Sequence, residues 1–355
     1  QMAFSITRRC FHNTARAFSG RRSAVNQWHG RGNEPGTVSF IGAPLASGQP
    51  IPGVEKAPQA MRDGGIANII HSLGWDFHDV GDLDVTGAIA AGSAEMVQGV
   101  QKCEQLGFAN KLVHDAVRGE AAKGNFVLTV GGDHSIGSAT LTGMQAVYKD
   151  FSVLSVIWVD AHGDCNTGAT SPSGNYHGMS ASHAMGWFGL GLPGFEWLQQ
   201  DVTISDSRLA FIALRDIDEN EKKLLRNSGV TAFTMYDVDR WGIGSVIDRA
   251  LHRVNPHGNR PIHLSFDIDS CDPTIAPGTG TCSRGGLNFR ESHYICETLA
   301  KTNNLCSMDI VEINPDLDTE VPGRMHGDSE LITTPLQTVR LGLELVSSAL
   351  GRSIL

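Results

Sequence analysis

The sequence predicts an α/β protein of three layers, α/β/α, with a mainly parallel sheet between helices. Two textures alternate along the chain. Short β-rich runs recur at residues 37–41, 125–130, 152–159, 208–214, 230–235, 261–266 and 306–313. Helix-like stretches of mixed polarity separate them, among them 95–123, 219–227, 243–253 and 290–301. Strands that alternate with helices build βαβ units, and such units require a parallel sheet covered on both faces. At 355 residues and 41% hydrophobic content, the chain is long enough to bury such a sheet.

The first run, Thr-Val-Ser-Phe-Ile, opens the folded part, and the run at 152–159 has the unbroken apolar texture of a buried strand. The last helix can be read residue by residue. Thr334 is expected at its N-cap, Pro335 at its first helical position and Gly351 at a left-handed stop. Between them Leu336, Val339, Leu343, Val346 and Leu350 fall on one face. The chain shows no repeat, low-complexity tract or interdomain linker, so a single domain is expected over residues 37–351.

Composition excludes several function classes. No run of residues reaches the roughly 18 consecutive apolar positions of a membrane span. The formal net charge of −10 argues against a nucleic-acid partner, which calls for a basic face. The seven cysteines are scattered without a CxxC pair, so neither a disulfide framework nor a thiolate zinc site is expected. Residues 1–33 differ from the rest: Arg8, Arg9, Arg16, Arg21, Arg22 and Arg31 occur there with no Lys, Asp or Glu. That is the composition of a mitochondrial transit peptide, with a disordered basic tail as the plainer reading. Matrix localisation is therefore expected, with the cytoplasm as alternative.

The chemistry lies where strands end. The run 152–159 leads into Asp160-Ala161-His162-Gly163-Asp164, whose alternate side chains share a face if the backbone stays extended. The run 261–266 leads into Asp267-Ile268-Asp269, and the run 125–130 into Gly131-Gly132-Asp133-His134. Open α/β sheets place their ligands at such carboxyl ends. A lone Asp-x-Asp is more often an ion pair or a helix cap. Three strand ends with the same texture and few basic partners point instead to a metal site, because unpaired buried carboxylates are costly. His134, Asp160, His162, Asp164, Asp267 and Asp269 are the candidate ligands. Four carboxylates can neutralise two divalent cations. A hard, thiolate-free set suits Mn(II), while imidazole also admits zinc or iron. Six ligands for two ions imply bridging carboxylates and a shared water acidified to hydroxide, hence metal-assisted hydrolysis.

With those residues in view, the sequence resembles the ureohydrolases, and within them the arginase family. The resemblance rests on GGDHS (131–135), DAHGDCN (160–166), SGNYHG (173–178), SFDIDSCDP (265–273) and MDIVEINP (308–315). Segments 41–58 and 285–291 are also similar, so it spans most of residues 40–350. It implies two Mn(II) ions per subunit. One would be held by His134, Asp160, Asp164 and Asp267, the other by Asp160, His162, Asp267 and Asp269. It implies hydrolysis of L-arginine to L-ornithine and urea, in a homotrimer or homohexamer.

The resemblance also assigns roles to single residues. His177 matches the acid/base histidine and Glu312 the carboxylate that holds the guanidinium; Asp164 joins them as a catalytic residue. The plainer readings are a solvent-facing loop histidine and a strand-end ion pair. Thr281 matches a residue whose carbonyl lies near the guanidinium. Asn166 and Ser173 match the residues that bind the substrate α-carboxylate, with Asn175 beside them. Asp218 and Glu221 match the acidic pair near the α-amine, although acids in a helix's first turn are favourable without any ligand. Ser270-Cys271 and Cys282-Ser283-Arg284 depart from the family pattern, and residues 276–281 resemble agmatinases. Residues 315–329 read as a loop with no assigned role. The competing functions are hydrolysis of another guanidine, agmatine or guanidinobutyrate, and a catalytically silent arginine sensor.

Overall fold

The computed structural model describes residues 35–149, 153–189, 191–321 and 331–352. The Arg-rich segment 1–33 and most of the loop 315–329 lie outside them. Eight strands form one sheet: β1 (Thr37–Ala43), β2 (Asp76–Asp82), β3 (Phe126–Gly131), β4 (Ser155–Val159), β5 (Leu209–Leu214), β6 (Thr231–Thr234), β7 (Ile262–Asp267) and β8 (Leu305–Val311). Their order is β2-β1-β3-β8-β7-β4-β5-β6, and every pairing is parallel. The seven expected strands are present with ends shifted by a few residues.

Strand alternation divides the core in two. In β4, Ile157 and Val159 join the cluster on one face with Phe40, Leu264, Phe266, Met308 and Ile310. Val156 and Trp158 join the other face with Ile41, Val127, Phe211 and Val311. The helices Ala57–Asp63, Phe289–Lys301 and Gln337–Ala349 cover the first face; Cys103–Ala122 and Gly137–Tyr148 cover the second. The central strands are buried on both sides, which is why their sequences are largely apolar. No helix among the described residues is long and apolar enough to cross a membrane.

Four elements depart from the sequence expectation, the last of them the final helix. β2 was not expected, because its sequence Asp-Phe-His-Asp-Val-Gly-Asp is polar and mostly exposed. It is an edge strand, and charge on an edge guards against pairing with other chains. Arg62 ties it down through Asp79 at 2.8 Å and Asp82 at 2.6 Å while lying 4.7 Å above the Phe40 ring. The stretch expected to be helical from residue 95 begins its helix only at Cys103. Before it, Gln98 and Lys102 take positive φ and a Val97–Val100 bridge closes a turn. The helix expected over 243–253 spans Met235–Val254, bent at Gly242, whose φ of 75° breaks the helical run.

Thr334 is not the cap of the last helix, which runs Gln337–Ala349. Its first N–H groups are capped across the fold by Asp318, whose carboxylate accepts from Thr338 N at 2.8 Å and Val339 N at 3.1 Å. The far end is as expected. Gly351 takes φ 107°, its N–H meets Ser348 O, and Arg352 N meets Ser347 O, a complete left-handed stop.

Candidate active site

Three central strands, β3, β7 and β4, deliver the candidate ligands from their carboxyl ends, and β8, lying between β3 and β7, delivers Glu312. The chain passes from β3 to β4 across two intervening strands, so the crevice of a switch point opens there. At the end of β3, Gly132 lies so close to Leu45 that a Cβ would sit 1.8 Å from the Leu45 carbonyl oxygen. Only glycine lets His134 enter from this side. The His134 ring is buried and stacks on Trp158, centroids 4.1 Å apart, and Trp158 Nε1 donates to Asp160.

His134 Nδ1 faces three carboxylate oxygens, those of Asp160 and Asp164 at 3.1 Å and Asp267 at 3.0 Å. Its other nitrogen lies 2.8 Å from Ser265 Oγ. A partner on one nitrogen fixes the tautomer available at the other. His162 Nδ1 lies 3.1 Å from Asp269 and 3.5 Å from Asp160. The side chains thus form two groups that could each hold a metal ion, His134-Asp160-Asp164-Asp267 and Asp160-His162-Asp269. Asp160 belongs to both. The Asp267 carboxylate also accepts the Asp269 N–H at 2.9 Å.

The electrostatics of this donor set fit divalent cations. Burial and the Asp160 charge push Asp164 up to about 6, and burial with Asp269 and Asp160 pushes Asp267 well above the carboxylate range. Burial alone would lower both histidines, yet the carboxylates around them raise His134 and His162 far above an ordinary imidazole. The carboxylates call for positive charge, and cations meet that call where protons otherwise must.

Beside the carboxylates lies an open cleft of about 450 Å³ lined by His162, Asp164, Asn166, His177, Gly178, Glu221, Asp267, Asp269 and Thr281. Glu312 follows β8 with φ 62°, a strained value for a non-glycine, and its Oε1 accepts the His134 N–H at 2.9 Å. The same oxygen lies 3.1 Å from His177 Nδ1. Burial would lower His177, but Glu312 outweighs it and raises the imidazole to about 9. Glu221 is buried and pushed up to about 8 by burial and by Asp164, while it accepts the Cys165 N–H. Asp218 both caps the helix Glu219–Asn227 and takes the Asn166 amide at 2.6 Å.

The sequence-derived residues do not all reach the cleft. Thr281 Oγ1 donates to Asp269 at 2.7 Å, so the threonine hydroxyl holds a candidate ligand. Ser173 and Asn175 lie on the neighbouring loop outside the cleft lining; Ser173 is exposed and its hydroxyl accepts the Asn175 N–H. Among the departures from the family pattern, Cys271 is buried and Cys282 exposed. Ser265 and Trp158 were missed. Each stands two residues before a recognised aspartate, and the period-two rule could have found them.

A covered parallel sheet with a carboxylate–imidazole cluster at its carboxyl edge defines an α/β enzyme with a candidate binuclear metal centre. The family model described as Arginase family matches residues 36–351. The arginase of Plasmodium berghei is 38% identical over 334 residues, covering 89% of this chain and 93% of its own. Among solved structures, the arginase of Bacillus caldovelox superposes with a TM-score of 0.75 at 33% identity, over 91% of this chain and 100% of that one. The arginase of Entamoeba histolytica, solved in complex with L-ornithine, gives 0.73 at 28% identity, over 90% and 99%. The chain belongs to the arginase family, and it is a hydrolase.

Proposed function

We propose that this protein hydrolyses L-arginine to L-ornithine and urea with two Mn(II) ions per subunit. The observation that carries the reading is the pair of ligand groups sharing Asp160 beside a cleft lined by His177, Asn166 and Glu221. The ornithine complex of the Entamoeba relative supports the same product. His134, Asp160, Asp164 and Asp267 would hold one ion, and Asp160, His162, Asp267 and Asp269 the other. Bound there, the cations supply Lewis acidity and acidify water, which a resonance-stabilised guanidinium requires.

The chain's own residues do the rest. Glu312 presents a carboxylate to the planar guanidinium fork. His177, which carries a proton at neutral pH, passes it to the departing nitrogen as the Cζ–Nε bond breaks. Asn166, Ser173 and Asn175 take the α-carboxylate, and Asp218 and Glu221 take the α-amine. Residues 37–351 form the catalytic domain, assembled as a homotrimer or homohexamer. Residues 1–33 direct the protein to the mitochondrial matrix; a reporter carrying them that stays cytosolic would contradict this.

Urea release from arginine tests the main reading. Chelation should abolish it, and Mn(II) should restore it better than Zn(II). Full activity in demonstrably metal-free protein would end the metal hypothesis. Equal efficiency on agmatine would leave a broader guanidine hydrolase with the same metal core.

A further inference from the structure

Arg215 follows β5 and stands outside the ligand set. Its guanidinium donates to five backbone carbonyls: Asp269 O at 2.6 Å, Ser283 O at 2.8 Å, Ser270 O at 3.0 Å, and Cys271 O and Ala213 O at 3.3 Å. Its own backbone N–H donates to Ala161 O at 2.9 Å, between Asp160 and His162. One residue therefore joins the strand end that carries Asp160 and His162 to the turn that carries Asp269. Its grip on Ser283 also anchors the segment of Thr281, whose hydroxyl holds Asp269.

The surroundings are shaped around this side chain. Gly286 lies so near that a Cβ would stand 2.6 Å from Arg215 Nη2. Ala213, which offers one of the five carbonyls, holds φ at 80°, a strained value away from glycine. A planar fork with donors in fixed directions can satisfy several carbonyls at once, and the compact ammonium of lysine cannot.

We propose that Arg215 is a positioning residue for the second metal group, Asp160-His162-Asp269, holding Asp269 and Thr281 in register with Asp160 and His162. This rests on the two-cation reading above. The first group is fixed independently, by the Trp158 stack, the Ser265 contact and the Glu312 bond to His134. The side chain should thus matter for one ion and not for the other.

The test is Mn(II) binding to the metal-stripped full chain, followed by calorimetry and by electron paramagnetic resonance, in the parent, Arg215→Lys and Arg215→Gln. The backbone bond to Ala161 survives in both variants. The parent should bind two ions and show a spin-coupled pair. In Arg215→Lys the first ion should bind within about threefold of the parent and the second about tenfold or more weakly, since charge-assisted bonds of this kind carry that order of energy. At one equivalent the signal should be that of an isolated ion. Arg215→Gln should show the same split more strongly. Equal weakening of both ions, or an unchanged ratio, overturns the inference. Failure of even the lysine variant to fold assigns Arg215 a purely structural role and also overturns it. A parent that binds fewer than two ions defeats the two-cation reading itself.

Discussion

At the scale of single residues, the site joins strain with specificity. Asp164 and Glu312 both hold positive φ without being glycine, and each is held by backbone hydrogen bonding. The Asp164 carbonyl accepts the Ala181 N–H at 3.0 Å, and Glu312 N donates to Gly132 O at 2.9 Å. Such conformations persist where the surroundings over-determine them; Asp164 lines the cleft, while the Glu312 carboxylate is buried against His134 and His177. Ser173 is the opposite case, exposed on a loop held by Gln101 through the Ser173 carbonyl. If its hydroxyl takes the substrate carboxylate, Ser173→Ala removes one bond to a charged group. Solvent at the rim puts the cost near the lower end of roughly 1.5–3 kcal/mol, or about tenfold in kcat/KM for arginine. Agmatine, which lacks the carboxylate, should be turned over almost unchanged; parallel losses on both substrates would remove Ser173 from the carboxylate site.

At the scale of elements, the last helix depends on a residue far from it in sequence. Asp318 receives two backbone N–H groups and the Thr338 hydroxyl. A carboxylate at a helix N-terminus satisfies orphan donors and faces the positive end of the dipole. Asp318→Ala should therefore destabilise the protein by about 1–2 kcal/mol, the usual cost of losing a cap. Thr334→Ala should cost less, because among the described residues its Oγ1 meets only the Leu336 N–H, at 3.2 Å. Equilibrium denaturation of the two variants measures the difference, and the reverse order of costs would restore Thr334 as the cap.

At the scale of the whole molecule, stability carries a pH dependence seated away from the metal groups. His183 is buried against Phe188 and Phe195, and its Nδ1 lies 2.6 Å from the Tyr176 hydroxyl. Burial depresses it to about 3. An imidazole that stays neutral when folded but binds a proton when unfolded adds stability above pH 6.5, and that stability drains as the pH falls towards its folded value. The parent should therefore lose about 2 kcal/mol relative to His183→Asn between pH 7 and pH 5. His114 and His293, both depressed to about 4 by burial, act in the same direction in both proteins and cancel in the comparison. Denaturant melts of metal-free protein at the two pH values provide the measurement; a constant difference between parent and variant would mean that His183 does not carry this linkage.

The sequence by itself determined the alternation of strand and helix and the chemistry at the strand ends. Both follow from local rules: apolar runs must be buried, and Asp160, His162, Asp267 and Asp269 follow directly on such runs, although the chain bends after Asp160 and turns into a short 3-10 helix at Ile268–Ser270 where the sequence suggested extended backbone. The Gly351 stop was legible for the same reason, since positive φ belongs to the residue and its neighbours. The tertiary structure alone decided what depends on distance. It added β2, whose polar sequence has strand character only because β1 pairs with it and Arg62 neutralises it. It gave the helix cap to Asp318 in place of Thr334, because a carboxylate brought across the fold reaches Thr338 and Val339. It also placed Arg215, an ordinary strand-end arginine in sequence, over five carbonyls from three segments. A local pattern reports which groups a residue offers, and only the packed chain decides which groups face them.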